Sequence, residues 1–148
     1  MFFKSCVSLV LLALSVSVSA FFETEDARLR KPLPGQSTAV IYLRVTNHFA
    51  SEAQLLSAQL VLASAGADKS TALPGPVIEV HEHRHVDGMM SMRRVSDLRI
   101  AAGHSLAFVP GGYHLMVFGL TSVVEPLQLL LRFSGGRQLQ VPLRIESI

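Results

Sequence analysis

Short apolar runs recur about every ten residues in this sequence, and Gly, Pro or polar clusters separate them. The run at 38–46, TAVIYLRVT, is rich in β-branched and aromatic residues, which favour strands. At 138–145 apolar residues alternate with polar ones, as in a strand that has one buried face. The pattern predicts an all-β sandwich or barrel in a single domain.

Predicted strands follow one another from residue 23 to residue 145. They are expected at 23–30, 38–46, 52–63, 77–86, 89–95, 98–100, 105–109, 113–120, 127–133 and 138–145. The apolar spacing at 52–63 also fits a helix, and the neighbouring strands favour a strand there. A loop is expected at 64–76. Pro142 cannot donate a ladder hydrogen bond, so the last strand is predicted to lie at an edge or a bulge.

Residues 1–20 are predicted to be a cleaved secretory signal peptide, which leaves 21–148 as the β domain. Lys4 precedes a short apolar run, and small residues at 18–20 suit cleavage. The run is too short for a comfortable transmembrane helix, and an uncleaved anchor is the alternative. No second long apolar segment follows, so we expect no stable membrane insertion of the mature chain.

Charge and cysteine content narrow the possible functions. The net charge is +2 without a basic run, which argues against a nucleic-acid partner. The only cysteine, Cys6, lies ahead of the apolar run, so it is wrongly placed for lipidation and is lost on cleavage. In an oxidising compartment thiols form disulfides but thioethers do not. A soft metal ion carried there is better bound by methionine than by cysteine.

The stretch 81–116 contains four of the five methionines and most of the histidines. Imidazole and thioether are borderline or soft ligands, and together they favour Cu(I) over Mg²⁺ and Ca²⁺. His114 and Met116 are two residues apart and share one face of a predicted strand. We therefore predict one copper site formed by His81, Met92, His114 and Met116.

Asp87-Gly88 is a strong signal for a two-residue hairpin loop, and such a loop sets the register of the strands on either side. Three residues of these strands are auxiliary ligand candidates: His83, His85 and Met90. The expected opposed pairs are His83 with Met92 and His85 with Met90, and His81 stands one diagonal step from Met92.

Each part of the cluster also has a simpler interpretation. Met116 could fill the core, which is the usual role of a methionine in a strand. The alternating residues at 81–85 could be a solvated edge strand, and the methionines at 89–92 a hydrophobic patch. His48 and His104 are expected at the surface in turns. The copper prediction depends on the joint pattern rather than on any single residue.

The spacing of His81, Met92, His114 and Met116, which is His-x10-Met-x21-His-x-Met, resembles the ligand pattern of the PCuAC family of periplasmic copper chaperones. The flanking residues agree as well, over nearly the whole chain after residue 20. They read EVHE at 79–82, MSMR at 90–93 and PGGYHLM at 110–116. The resemblance implies a cupredoxin-like Greek-key β fold and one Cu(I) near the surface.

The same resemblance implies a periplasmic metallochaperone that delivers Cu(I) toward cytochrome c oxidase assembly. The implied partners are the copper-site subunit of the oxidase and a Sco-type thiol protein. Many members carry a His- and Met-rich C-terminal tail that handles Cu(II), whereas this sequence reads LRIESI at 143–148. We expect no tail-based Cu(II) role here, and His83 and His85 could offer imidazole to Cu(II) instead.

Other functions compete with copper delivery. Copper storage or tolerance uses the same coordination chemistry, and a metal-free exported β-sandwich could bind a protein or another ligand. A zinc carrier is a weaker alternative because zinc sites favour His, Cys and carboxylate. A blue-copper electron carrier needs a cysteine thiolate, which the mature chain lacks. We expect no enzyme, because no catalytic arrangement is visible near the histidines.

Overall fold

The computed structural model describes residues 20–62 and 71–147, and these residues form two packed β-sheets. The predicted signal peptide, apart from Ala20, lies outside the described residues. The strands are β1 Phe22–Arg30, β2 Thr38–Asn47, β3 Ala53–Leu62, β4 Thr71–Ala72, β5 Val77–Val86, β6 Met89–Arg94, β7 Leu98–Ile100, β8 Ser105–Phe108, β9 Tyr113–Phe118, β10 Leu127–Phe133, β11 Gln138–Pro142 and β12 Arg144–Glu146. One 3₁₀ turn, Ser134–Gly136, joins β10 to β11. No helix in the described part is long and apolar enough to cross a membrane.

The larger sheet has the strand order β12-β1-β2-β8-β9-β5-β6, and β2 also pairs with β9. The smaller sheet has the order β11-β10-β3-β4, and β7 pairs with β3. The chain crosses from one sheet to the other several times, for example from β2 to β3 and from β9 to β10. The predicted all-β sandwich in a single domain is confirmed, and so is the strand expected at 52–63.

The core lies between the sheets and is built from alternate residues of each strand. Ile41 of β2 and Leu115 and Val117 of β9 are fully buried in it. Leu129 and Leu131 of β10 meet them from the smaller sheet. Because successive side chains point to opposite faces, the residues that alternate with the core positions of β2 and β9 lie on the outer face of the larger sheet.

The last predicted strand differs from expectation. Residues 138–145 form two strands, because β11 pairs with β10 in the smaller sheet and β12 pairs in parallel with β1 in the larger one. The buried Leu143 lies at the crossover. Pro142 ends β11 at the edge of its sheet, as predicted.

The loop expected at 64–76 contains a short strand. Thr71–Ala72 pairs with the end of β3, where Ala72 lies opposite Val61. Residues 63–70 lie outside the described part of the chain. The prediction of a loop is therefore wrong at residues 71–72.

The hairpin between β5 and β6 has the two-residue loop that was predicted. Asp87 and Gly88 both have positive φ, at 51° and 77°, as the hairpin turn with two left-handed residues requires. The resulting register places His83 opposite Met92, and the next pair along is His85 with Met90. Both predicted pairings are confirmed.

Candidate metal centre

The predicted ligands lie on three neighbouring strands at the edge of the larger sheet, in the order β9, β5, β6. His81 of β5 is directly opposite His114 of β9, and the ring centroids are 6.1 Å apart. Met116 follows two residues after His114, and Met92 is one diagonal step from His81. By strand alternation all four side chains lie on the outer face of the sheet.

His114 is the most deeply buried of these side chains, with 2% of its surface exposed. Its Nδ1 donates a hydrogen bond to the Gly112 carbonyl oxygen at 3.1 Å, which fixes the tautomer. The other nitrogen, Nε2, is buried without a partner among the described residues. Burial lowers the pKa of His114; the hydrogen bond to Gly112 opposes this shift, and the charges of His83 and His81 add to it. His114 therefore presents a neutral, unshared lone pair.

His81 is held by a carboxylate on its own strand. Its Nε2 donates to Oε2 of Glu79 at 3.0 Å, and the other carboxylate oxygen of Glu79 lies 3.2 Å from Nη1 of Arg94. Nδ1 of His81 is buried without a partner within the described residues. A carboxylate that orients an imidazole is the usual support of a metal-ligating histidine.

Glu79 was not among the predicted site residues. It precedes His81 by two positions, so the period of two already placed both side chains on one face. A carboxylate two residues before a candidate histidine ligand was the sequence signal that could have identified Glu79. What the sequence did not reveal is the direction in which the imidazole turns.

His83 is the third imidazole of the group. Its ring stacks on that of His114, with 4.7 Å between centroids and 28° between planes. Its backbone N–H donates to the carbonyl oxygen of Gly112, the same atom that holds His114, at 3.2 Å. Its Nδ1 is buried and has no partner in the described part of the chain. Directly opposite it on β6 is Met92.

The two methionines differ in setting. Met92 is 51% exposed on the edge strand β6, whereas Met116 is half-buried between Glu79 of β5 and Val40 of β2. The two Met residues are two strands and four residues apart, roughly 16 Å between Cα atoms at ideal sheet spacings. The structure thus brings His81, His83 and His114 together, with Met116 beside them and Met92 at the rim.

The remaining auxiliary candidates lie farther out. His85 and Met90 face each other near the hairpin tip, and both are exposed. Across residues 20–62 and 71–147, no three His, Asp or Glu side chains are already arranged to hold a metal ion. A metal site on this face therefore needs either methionine sulfur or a rotation of the imidazole rings.

Comparisons with known proteins support this fold. A family model described as "Putative lipoprotein LpqE-like" matches residues 22–145. The structure described as a copper-bound PCuAC domain from PmoF2 superposes with a TM-score of 0.59 at 16% identity, covering 88% of this chain and 100% of that one. The apo PCuAC domain from PmoF1 gives 0.61 at 13% identity, with the same coverage.

A third similar structure is apo-DR1885 from Deinococcus radiodurans, which gives a TM-score of 0.52 at 18% identity over 100% of this chain and 96% of that one. No curated protein matches the chain significantly. At these identities the structural matches establish the fold. The cupredoxin-like PCuAC fold implied by the sequence resemblance is confirmed.

Proposed function

Because this chain belongs to the LpqE-like family, and its fold is that of PCuAC domains, we propose that it is an exported copper-binding protein of the chaperone type. One similar domain is described as copper-bound, and this supports copper as the metal here. Export would use the signal peptide predicted at residues 1–20. Since Cys6 lies ahead of the apolar run, the proposal includes no lipid anchor.

The observation that carries the proposal is a set of buried nitrogens without hydrogen bonds. Nδ1 of His81 and Nε2 of His114 each lack a partner in the described chain, on facing residues of adjacent strands. A buried acceptor left unsatisfied costs about 1–3 kcal/mol. A bound cation would offset this cost, because each lone pair would then be shared with the metal.

The donor types favour Cu(I) as the cargo. Neutral imidazole and thioether suit a soft monovalent ion better than Mg²⁺ or Ca²⁺. We propose His81, Met92, His114 and Met116 as its ligands. Met92 reaches this set only if the β5–β6 hairpin bends toward β9, because Met92 lies on the outermost strand. The hairpin would then close over the ion and open to release it.

The proposed destination of the copper is cytochrome c oxidase assembly in the periplasm. The partners proposed from the PCuAC resemblance are the copper-site subunit of the oxidase and a Sco-type thiol protein. The exposed sulfur of Met92 suits such a transfer. An incoming ligand can replace it first, while His81 and His114 still hold the ion, so copper never enters solution.

Two other functions use the same surface. Storage or tolerance would need the same ligands, and only a transfer assay with a recipient separates it from delivery. A metal-free binding module would take up no stoichiometric Cu(I), so a copper titration separates it from the other two. The proposed role is binding rather than catalysis, since Glu79, the carboxylate beside the histidines, is already paired with His81 and Arg94.

X-ray absorption on the Cu(I)-loaded protein tests the ligand set. We expect two nitrogen and two sulfur scatterers in the wild type, the loss of a sulfur in Met92→Ala and the loss of a nitrogen in His114→Ala. Met89→Ala is the matched control, because Met89 is also exposed on β6 but lies on the opposite face. A wild-type protein that takes up no stoichiometric Cu(I) would instead identify a metal-free module.

A further inference from the structure

We propose that the same face binds Cu(II) in a second mode, through the imidazoles of His81, His83 and His114. The proposal rests on the proposed copper function and assigns His83 a role that Cu(I) binding does not need. Cu(II) prefers nitrogen donors in a tetragonal arrangement and gains little from thioether. The ligand set for Cu(II) should therefore shift away from the methionines and toward a third imidazole.

Three observations single out His83. Its Nδ1 is buried without a hydrogen-bond partner in the described chain, as are Nδ1 of His81 and Nε2 of His114. Its ring lies against the His114 ring, with 4.7 Å between their centroids. Its backbone is tied to the Gly112 carbonyl that also orients His114. One carbonyl thus positions two imidazoles side by side.

The rings must turn before three nitrogens can meet at one ion, because in the described conformation no such trio is assembled. The rings of His83 and His114 are already in contact, with 4.7 Å between their centroids, and the proposal requires rotations about their side-chain torsions. His81 and His114 already face each other across β5 and β9.

His85 does not share these features. It lies on the same face of β5, two residues beyond His83, but it is exposed and pairs with the exposed Met90 at the hairpin tip. None of its nitrogens is buried without a partner. Sequence spacing alone made His83 and His85 equivalent, and their burial separates them.

Substituting His83→Phe tests the proposal, because phenylalanine keeps an aromatic ring against His114 and removes both nitrogens. His85→Phe is the control on the same strand and face. Each protein is titrated with Cu(II) as the sulfate and, separately and anaerobically, with Cu(I). Urea unfolding of the apo proteins verifies that both variants are folded. Pulsed electron paramagnetic resonance counts the imidazoles on Cu(II).

We expect three coupled imidazoles in the wild type and in His85→Phe, and two in His83→Phe. The dissociation constant for Cu(II) should rise about tenfold or more in His83→Phe. The Cu(I) dissociation constant should change less than about twofold.

Equal Cu(II) affinity and equal imidazole counts in wild type and His83→Phe would overturn the inference, and so would an equal loss of Cu(I) and Cu(II) affinity. A wild type that binds Cu(I) but not Cu(II) would overturn this second mode alone. Failure to bind Cu(I) would overturn the proposed function instead.

Discussion

His81 donates a hydrogen bond from Nε2 to the carboxylate of Glu79, and the two atoms are 3.0 Å apart. The residues are two positions apart on β5, so the carboxylate reaches the ring from the same face of the sheet. The bond leaves Nδ1 as the only lone pair that His81 can offer to a metal. Glu79 is itself anchored by Arg94, so the carboxylate that accepts this bond is held in place from its other side.

Removing Glu79 should therefore weaken copper binding without removing a ligand. For Glu79→Ala we expect the Cu(I) dissociation constant to rise about 10–100-fold, the usual cost of losing an orienting carboxylate. An anaerobic competition titration with a chromophoric Cu(I) chelator measures it. Glu82→Ala is the control, because Glu82 is equally shielded at 22% exposure against 23% and is also ion-paired, with Arg84. Equal affinities of the two variants would contradict the orienting role.

A substitution at Met116 can separate the effect of its sulfur on Cu(I) binding from the effect of its volume on stability. Met116→Leu keeps a half-buried apolar side chain beside Val40, so the free energy of unfolding should change by less than about 1.5 kcal/mol. The Cu(I) dissociation constant should rise more than about tenfold, because leucine has no donor atom. Met89→Leu should leave both quantities unchanged, since Met89 is 71% exposed and faces away from the histidines. Unchanged Cu(I) affinity in Met116→Leu would remove Met116 from the ligand set.

Local sequence signals predicted the hairpin and its faces well. Asp87-Gly88 requires a tight turn with two left-handed residues, and the strands on either side must then pair in one register. The period of two placed His81 and His83 on one face without any structure. These predictions succeeded because each depends on neighbours along the chain.

The pairing of β5 with β9 could not be predicted in the same way. His81 of β5 faces His114 of β9, but β6, β7 and β8 lie between these two strands in the sequence. No turn residue fixes the register of such a distant pair. The division of residues 138–145 into two strands at Leu143 could not be predicted either. The apolar alternation continues through Leu143, although the chain changes sheets there. Both features depend on how the two sheets pack.

The buried Asn47 should contribute strongly to stability. Its Nδ2 donates to the carbonyl oxygens of Ile100 and Ser51 at 2.9 Å, and its Oδ1 accepts from the backbone N–H of Phe49 at 3.0 Å. Asn47→Ala removes one buried and two part-buried hydrogen bonds, so we expect a loss of about 2–4 kcal/mol in the free energy of unfolding. Urea unfolding of the apo protein measures the loss.

Gln54→Ala is the matched control for that substitution. Gln54 donates to Asp97 in an exposed hydrogen bond, and its removal should change stability by less than about 0.5 kcal/mol. A loss below 1 kcal/mol in Asn47→Ala, on the scale expected of one ordinary hydrogen bond, would show that water replaces the Asn47 contacts.

Acid should destabilise the apo protein through His114. Burial, the largest cause, lowers the pKa of His114 in the folded state, and the hydrogen bond to Gly112 only partly opposes it. In the unfolded chain the pKa of a histidine is about 6.5. Above that pH both states are neutral at His114, which then adds no pH dependence. As the pH falls below 6.5 the unfolded chain binds a proton that the folded chain excludes, so the free energy of unfolding decreases.

One such proton changes the free energy of unfolding by at most about 1.4 kcal/mol per pH unit. Urea unfolding of chelator-treated protein between pH 7.5 and 5 should show this slope in the wild type and in His104→Gln, where His104 is exposed in a turn. His114→Leu should show a shallower slope below pH 6.5, whatever its absolute stability, because the proton-excluding group is gone. Parallel slopes in all three proteins would mean that His114 accepts its proton in the folded state as readily as in the unfolded chain.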